Sequence, residues 1–283
     1  MDAVVLSVLS AGLFGGMTVA LRPVVARGVD PSLGAFWTVV TAFAVVCVAA
    51  LLRFDWDASG LWPYALAGLL SPTLSQTLFT YGVREAGPAR TSVAVGTAPL
   101  FSVVLALVLL DEPVVAGIIA GAVAIVGGGV FLVGERERPA HVRRIGIVFA
   151  LIATVSFAAR DNLVRWLAVD SDVSPELAAA ATLGCGVVAI GIWVLLARRA
   201  IPLAPLRLAA PAGLLFGLSY VCMFEAFYRG RVTVVSPLIA TESLFGVAFS
   251  AFFLHRVEVV GRRLLVGAAL IVLGGVLIGL SRG

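Results

Sequence analysis

The sequence predicts an all-α integral membrane protein with ten transmembrane helices, arranged as two inverted five-helix repeats. Three observations predict this fold. Hydrophobic residues make up 61% of the 283 residues and charged residues only 13%, a composition far more apolar than that of a soluble domain. The apolar stretches are long enough to cross a bilayer, which takes roughly 20 residues. The chain also repeats itself, because the segment from Thr97 to Phe101 returns as Thr241 to Phe245.

Charges, Pro and Gly divide the chain into ten apolar stretches, which we number as spans 1 to 10. They cover residues 3–22, 32–52, 61–83, 90–110, 113–133, 144–168, 176–197, 208–228, 232–254 and 259–280. Pro31 and Pro175, which are 144 residues apart, open spans 2 and 7. We therefore predict a first repeat at 1–134 and a second at 145–283. The charged segment 135–144 between them is interpreted as a solvated linker, with a regulatory surface as the alternative.

The repeat continues beyond the matching segments in spans 4 and 9. After two extra residues in the turn around His255 and Arg256, five further positions recur at a spacing of 146. They are Glu112, Gly121, Ile125, Gly128 and Gly129, answered by Glu258, Gly267, Ile271, Gly274 and Gly275. Because each copy holds an odd number of spans, the copies must cross the membrane in opposite directions. Many transporters have this architecture.

The charges and cysteines exclude several classes of protein. The net charge of +4 comes entirely from Arg, since the chain has no Lys, and these Arg lie mostly between apolar segments. This is the pattern of loop anchors rather than of a nucleic-acid surface. Cys47, Cys185 and Cys222 lie within apolar segments and make neither a disulfide framework nor a metal site. The start of the chain lacks the positive region of a secretory signal, so span 1 is expected to be a retained helix.

Several features together resemble the drug/metabolite transporter superfamily, in particular its EamA-type members with two five-helix repeats. They are the ten-span length and the turn residues Glu112 and Glu258, each before a Gly-rich helix. Pro99 and Glu242 lie 13 and 16 residues upstream of those turns. The family's Trp-Gly pair in the first helix of each repeat is replaced here by Phe14-Gly15 and Phe157-Ala158, and its Glu-Pro pair is split between Glu242 and Pro99.

The resemblance implies a central cavity lined by spans 1, 3, 4, 6, 8 and 9, with alternating access by rocking of helix groups. It also implies that spans 5 and 10 pack outside this cavity. Both of these spans carry small-residue faces that permit close helix contact, Gly117-x-x-x-Gly121 and Gly275-x-x-x-Gly279. These faces pack within a monomer or in a homodimer. Fourteen Arg in the odd-numbered loops favour a cytoplasmic location of those loops, whereas the family is usually drawn the other way, so the orientation stays open.

Four charged residues at membrane depth are the strongest candidates for function. They are Arg160 and Asp161 in span 6, Glu225 in span 8 and Glu242 near the middle of span 9. Each costs roughly 2.5 to 3.5 kcal/mol to insert and so needs a partner or a wet cavity. Asp161 has a simple structural explanation, an intrahelical pair with Arg165 four residues later. Arg160 points about 100° away and is expected to pair with Glu242 or Glu225, in a cavity or as a structural ion pair.

Neutral side chains offer further candidates for contact with a substrate. Thr73, Gln76, Thr77 and Thr80 form a polar stripe along span 3, which serves either interhelical hydrogen bonding or, through Gln76 and a neighbouring Thr, substrate binding. Tyr220 in span 8 could stack on a ligand, although aromatic residues in membrane helices often pack in the core or at the interface.

We expect a secondary active transporter, an exporter, of a small metabolite such as an amino acid or related compound. An Arg beside acidic groups could recognise a carboxylate and an ammonium together, or an acid could take a proton. The predicted substrate-binding residues are Arg160, Glu242, Glu225, Gln76, Thr73 and Tyr220, and the predicted ion-coupling residues are Glu242 and Asp161. Expected partners are a small-molecule substrate, membrane lipid, and a proton or counter-substrate. We expect no nucleic acid, catalytic residue, metal or cofactor, and a multi-pass protein of the cell membrane that is a monomer or homodimer.

Two other classes of function remain as alternatives. A lipid or lipid-linked-sugar flippase would share the fold and would have a cavity open sideways to lipid. A membrane-embedded enzyme would need a nucleophile or metal constellation, and the chain has two His, no metalloprotease motif and no serine-hydrolase motif. No phosphate-binding glycine loop occurs either, which argues against transport driven by ATP.

Overall fold

A computed structural model describes residues 2–53, 60–101, 116–133, 142–168, 171–230, 232–255 and 261–281. Within these ranges the regular secondary structure is entirely helical. Six helical segments there are long and apolar enough to cross a membrane. The all-α membrane fold expected from the sequence is therefore confirmed. The turn residues Glu112 and Glu258, together with most of the linker 135–144, lie outside the described residues.

The helices of the first half follow the predicted spans, but spans 3 and 4 are interrupted. They are α1 (Ala3–Ala20), α2 (Arg22–Ala26), α3 (Pro31–Arg53), α4 (Leu61–Gly68), α5 (Ser75–Ala86), α6 (Pro88–Val95) and α7 (Ala116–Val133). Span 3 is not one continuous helix, because a π-helical segment, Leu69–Leu74, separates α4 from α5. Ser71 leaves helical geometry there and Pro72 follows it, so the kink has the usual cause, a proline inside a helix.

The second half has longer helices. They are α8 (Arg144–Ala168), α9 (Pro175–Leu196), α10 (Leu206–Arg229), α11 (Val232–Ile239), α12 (Glu242–Phe253) and α13 (Arg262–Ser281). Several begin where the sequence supplies a start signal. Proline opens α3, α6 and α9, where its missing N–H has no helical partner to lose. The Asp30 carboxylate accepts a hydrogen bond of 3.0 Å from the Ser32 backbone N–H at the start of α3.

The glycine-rich helices α7 and α13 pack directly against each other. A Cβ atom at Gly121 would lie 2.5 Å from the Gly274 carbonyl oxygen, and one at Gly128 would lie 2.6 Å from that of Gly267. Since the higher residue number on one helix meets the lower on the other, the two helices run antiparallel. The face predicted for span 5, Gly117 and Gly121, thus packs on α13 within one chain. The face predicted for span 10 is not the one that meets it, because Gly275 lies against Pro99 and Pro237 and the contact uses Gly267 and Gly274 instead. The contact also obeys the repeat, because Gly121 matches Gly267 and Gly128 matches Gly274.

Several other helix contacts recur when the two halves are exchanged. Helix α1 packs on α10 and α11, as its counterpart α8 packs on α5 and α6. Helix α3 packs on α10, as its counterpart α9 packs on the π segment and α4 of span 3. At the centre of this arrangement Phe14 and Phe157, the matching residues of spans 1 and 6, touch edge to face with ring centroids 5.7 Å apart. The two repeats therefore share one core related by a pseudo-twofold axis.

We predict that Gly128→Ala destabilises the protein, because its methyl group would force α7 away from the Gly267 carbonyl. Overpacking of this kind costs about 1–3 kcal/mol. Gly127→Ala is the matched control, since no described atom lies within 4 Å of a Cβ atom at that position. Thermal denaturation in detergent should show a lower melting temperature for Gly128→Ala, and no loss for Gly127→Ala. Equal melting temperatures would contradict the close packing of α7 on α13.

Candidate functional site

The interruptions of spans 4 and 9 are the structural basis of the site. Helix α6 ends at Val95 and is followed by a turn at Gly96 and Thr97. Helix α11 ends at Ile239 and is followed by a turn at 240–241, after which α12 begins. The two turns are 144 residues apart, so both lie at the start of the repeated segment. The sequence predicted single continuous helices here, and this prediction is wrong.

Matching threonines stabilise the two interruptions. The Thr97 hydroxyl donates a hydrogen bond of 2.7 Å to the Ala94 carbonyl oxygen. The Thr241 hydroxyl donates one of 2.6 Å to the Leu238 carbonyl oxygen. A helix that ends inside a membrane leaves carbonyl groups without helical partners, and nothing in the hydrocarbon can replace them. In both turns the backbone N–H of the Thr bonds the same carbonyl oxygen at 3.1 Å, and the hydroxyl group adds a second donor. This favours Thr at the start of the repeated segment in both copies.

A small polar cavity lies beside these interruptions, between spans 1, 4, 6, 8 and 9. Its volume is about 30 Å³. Its charged lining residues are Arg160, Asp161 and Glu242, and its walls include Tyr220 and Met223. The exposed fractions of Arg160, Asp161 and Glu242 are only 2%, 9% and 4%. Helix α12 begins at Glu242, so the carboxyl group lies at the positive end of that helix.

Arg160 is held by an ion pair and by ring and sulfur contacts. Its Nε atom lies 2.7 Å from Asp161 Oδ1. Its guanidinium carbon lies 4.9 Å from the centre of the Tyr220 ring, and Nη2 lies 3.7 Å from Met223 Sδ. The Tyr220 hydroxyl is in turn 3.1 Å from the Ser71 hydroxyl at the kink of span 3. Cation–π contacts of this kind are strongest where water is excluded.

These contacts leave hydrogen-bonding capacity unused. Arg160 Nε and Asp161 Oδ1 are close but not aligned as a hydrogen bond, and both remain without a hydrogen-bond partner, as does Arg160 Nη1. The Glu242 carboxyl group forms no ion pair with any described residue. One guanidinium thus stands beside two carboxyl groups in a water-poor site. A proton, an ammonium group or another cation would balance the second carboxyl group.

The whole chain matches a known family in two copies. The model of the EamA-like transporter family matches residues 2–134 and again residues 144–280. The chain belongs to the EamA-like transporter family. The family match covers both predicted repeats, so the two-repeat fold expected from the sequence is confirmed.

Individual relatives support this assignment without naming a substrate. An uncharacterized transporter of Methanothermobacter thermautotrophicus is 23% identical over 195 residues, which are 68% of this chain and 57% of that protein. The chain thus matches little more than half the length of that relative. A solved structure described only as the crystal structure of a protein has a TM-score of 0.68 at 19% identity. It covers 97% of this chain and 95% of its own, and this likeness shows the fold alone.

The structure gives Asp161 and Arg165 different partners from those expected for them. Asp161 pairs with its neighbour Arg160, whereas Arg165 donates a hydrogen bond of 2.7 Å from Nη1 to the Phe227 carbonyl oxygen. The predicted intrahelical pair between Asp161 and Arg165 is therefore wrong. Arg160 does share its cavity with Glu242, although it forms its ion pair with Asp161.

Glu225 lies outside the cavity, in a cluster near one face of the membrane. Arg53 Nη1 lies 2.6 Å from Glu225 Oε1 and 2.8 Å from Glu176 Oε2, and Arg229 Nη2 lies 2.6 Å from Glu225 Oε2. These four residues, which we call the Glu225 cluster, connect the end of α3, the start of α9 and the end of α10. The sequence placed Glu225 in the substrate site. The structure instead pairs it with Arg53 and Arg229, outside the cavity that Arg160 lines.

A related cluster closes the opposite face. The Tyr81 hydroxyl lies 3.3 Å from the Ser32 hydroxyl, and Arg199 pairs with Asp30 while also contacting Tyr81. We call these four residues the Tyr81 cluster. Ser32 and Tyr81 are the repeat counterparts, 144 residues earlier, of Glu176 and Glu225. The Tyr81 cluster joins the start of span 2 to the end of span 3. The Glu225 cluster likewise joins the start of span 7 to the end of span 8.

Of the other predicted binding residues, Tyr220 lines the charged cavity and two do not. Gln76 is fully buried, with Nε2 3.7 Å from Met17 Sδ and Oε1 without a partner. Thr73 donates a hydrogen bond of 2.7 Å to the Gly68 carbonyl oxygen and lines a separate groove. Sequence reasoning missed Met223 and both helix interruptions. Pro237 inside α11 and the matching Thr97 and Thr241 were the available signals for the interruptions.

We predict that Thr241→Val weakens the protein, because it leaves the Leu238 carbonyl oxygen without its hydroxyl donor. The backbone N–H of residue 241 still bonds this carbonyl oxygen at 3.1 Å, so the cost is that of one lost hydrogen bond, about 0.5–1.5 kcal/mol. Thr241→Ser keeps the hydroxyl and serves as the control. Thermal denaturation in detergent should place Thr241→Val below both Thr241→Ser and the wild type. If Thr241→Ser and Thr241→Val melt at the same lowered temperature, the hydrogen bond is not what stabilises the interruption.

Proposed function

We propose that this protein is a secondary active transporter of a small metabolite such as an amino acid or related compound, acting across the cell membrane by alternating access, with export as the expected direction. The observation that carries the proposal is the buried cavity in which Arg160, Asp161 and Glu242 meet beside an interrupted helix. Transporters characteristically bind substrates and coupling ions where helices are interrupted near the middle of the membrane.

The charges of the cavity favour a zwitterionic substrate. A guanidinium group binds a carboxylate with two adjacent donors; Arg160 Nη1 has no hydrogen-bond partner and Nη2 contacts only the Met223 sulfur, so this pair of donors is available. Glu242 offers a carboxylate for an ammonium group. With Asp161 neutralising Arg160 before binding, the arriving carboxylate would compete with Asp161 for the guanidinium, and Asp161 or Glu242 would then take up a proton. Substrate binding and proton coupling would thus use the same three residues.

Transport requires the helices to move, because the cavity is too small in this structure. A volume of about 30 Å³ holds a water molecule or two and no amino acid. The Glu225 cluster and the Tyr81 cluster are both intact, one at each face. Arg53 and Arg199 are more than a third exposed, and exposed ion pairs contribute on the order of 1 kcal/mol or less each. Rocking of the two halves could break either cluster at small cost and open one face at a time.

We predict that Arg160→Gln and Glu242→Gln abolish transport while expression and folding stay near normal. A thermal-shift screen of purified protein against amino acids, nucleosides, sugars and cations should find a ligand that stabilises the wild type, as any ligand of the folded state must. That ligand should no longer stabilise Arg160→Gln. Arg165→Gln on the same helix and Glu225→Gln, both outside the cavity, should keep ligand binding. Full transport by Arg160→Gln and Glu242→Gln would disprove the site.

We also predict opposite effects on access from breaking the two clusters. In a variant whose three native cysteines are replaced, Ala98→Cys places one thiol in the cavity wall. Adding Arg53→Gln should speed its modification by a membrane-impermeant thiol reagent from the face of the Glu225 cluster, several-fold over the parent. Adding Arg199→Gln should do so from the other face. Vesicles of both orientations distinguish the faces, and faster labelling from one face in both variants would contradict alternating access.

A further inference from the structure

A second cavity, unlike the charged one, lies between α5, α8 and α9. It is a groove of about 490 Å³, within the range of pockets that hold small molecules. Its lining includes Thr73, Leu74, Tyr81, Phe149, Ala189 and Trp193. Leu74 is 45% exposed and Trp193 is 59% exposed, so the groove opens on the outer surface of the helix bundle. In a membrane that surface faces lipid.

The groove is specific to one half of the repeat. Pro72 in the π segment packs against Gly186 of α9 and holds the following helix, α5, away from α9. In the other half, Gly217 matches Thr73 and Val45 matches Ala189. There a Cβ atom at Gly217 would lie 2.7 Å from Val45 Cβ, so the corresponding gap is closed. The fold alone therefore does not require the groove, and the kink of span 3 creates it.

The wall of the groove is suited to hydrocarbon. Its two threonines use their hydroxyls within their own span, Thr73 to the Gly68 carbonyl oxygen at 2.7 Å and Thr77 to the Thr73 carbonyl oxygen at 2.8 Å. The Tyr81 hydroxyl bonds with Ser32. With these groups already bonded, the groove offers little to a polar ligand at membrane depth.

Positive charge surrounds the end of the groove at Tyr81 and Trp193. The Arg84 guanidinium lies 4.8 Å from the centre of the Tyr81 ring. Arg144 begins α8, five residues before Phe149, and Arg198 lies just beyond the end of α9, five residues after Trp193. All three Arg therefore lie at the same face of the membrane. Neither Arg144 nor Arg198 forms an ion pair with a described residue.

The local charge is positive even after the ion pairs are counted. Arg84 Nε lies 2.7 Å from Glu85 Oε1 and Arg143 Nη1 lies 2.9 Å from Glu85 Oε2, so one carboxylate serves two guanidinium groups. Tyr and Trp side chains beside such a cluster are typical of the headgroup level of a bilayer. Basic clusters at that level between helices attract anionic lipid headgroups.

We propose that this groove binds an acyl chain of one anionic phospholipid, whose phosphate group lies on Arg84, Arg144 and Arg198. The apolar walls take the chain and the basic rim selects the headgroup. The chain would fill the space that Pro72 leaves between α5 and α9 and so support the packing of the first half. This site is separate from the charged cavity, since no residue lines both.

Native mass spectrometry of the detergent-purified full chain tests the site, with phosphatidylglycerol and phosphatidylcholine as probes. The wild type should retain one phosphatidylglycerol molecule in preference to phosphatidylcholine. Ala189→Trp fills the groove and should remove the retained lipid. Val188→Trp, at the neighbouring and 61% exposed position outside the groove, should retain it. Equal retention of phosphatidylglycerol by Ala189→Trp and Val188→Trp would overturn the proposal.

Arg84→Gln tests the headgroup without filling the groove. Each Arg near an anionic surface contributes about a fivefold preference, so the ratio of retained phosphatidylglycerol to phosphatidylcholine should fall about fivefold. Arg262→Gln, an exposed charge on α13 at the same face, is the control for net charge and should leave the ratio unchanged. An unchanged ratio in Arg84→Gln, or an equal fall in Arg262→Gln, would contradict selection of the headgroup by this rim.

Discussion

Two carboxyl groups and one guanidinium group line the same buried cavity of the helix bundle, and the rest of the proposed mechanism depends on this imbalance. Removing charges from water costs several kcal/mol per ion, which a single ion pair repays only with good geometry. Here the pair of Arg160 and Asp161 is close but poorly aligned, and Glu242 stands beside it without an ion-pair partner among the described residues. A core built only for stability would gain from apolar residues at these positions. The arrangement is explained if a substrate or a proton completes it.

A second constraint is that backbone groups inside a membrane must be satisfied within the protein. The interruptions of spans 4 and 9 meet it through Thr97 and Thr241, which bond the carbonyl groups of the preceding helix ends. The repeated segment therefore marks the same kind of helix interruption in both repeats. Only the second copy follows its Thr with an acid, Glu242, where the first has Ala98. Both repeats thus contain an interrupted helix, but only the second places a carboxyl group at the interruption.

The sequence predicted features that depend on composition and spacing. It predicted the all-α membrane fold, the glycine face of α7, and the presence of Arg160 and Glu242 in one cavity. It failed where partners come from distant helices. The i to i+4 rule paired Asp161 with Arg165, but the rule describes exposed helix surfaces, and in the bundle Arg165 reaches the Phe227 carbonyl. Nothing local to Glu225 indicates Arg53, which is 172 residues away. The kink of span 3, in contrast, had a local signal, because Pro72 lies within the predicted helix and proline breaks helical hydrogen bonding.

The two halves have distinct roles within one helix bundle. The first half supplies the kink and the lipid-facing groove, whereas the second supplies the charges of the cavity. The most direct test of the central claim is a structure of the protein with a stabilising ligand bound. The account predicts a carboxylate of the ligand on the Arg160 guanidinium and its cationic group at Glu242, in an enlarged cavity. A ligand bound elsewhere, with the contacts of Arg160 and Asp161 unchanged, would contradict it.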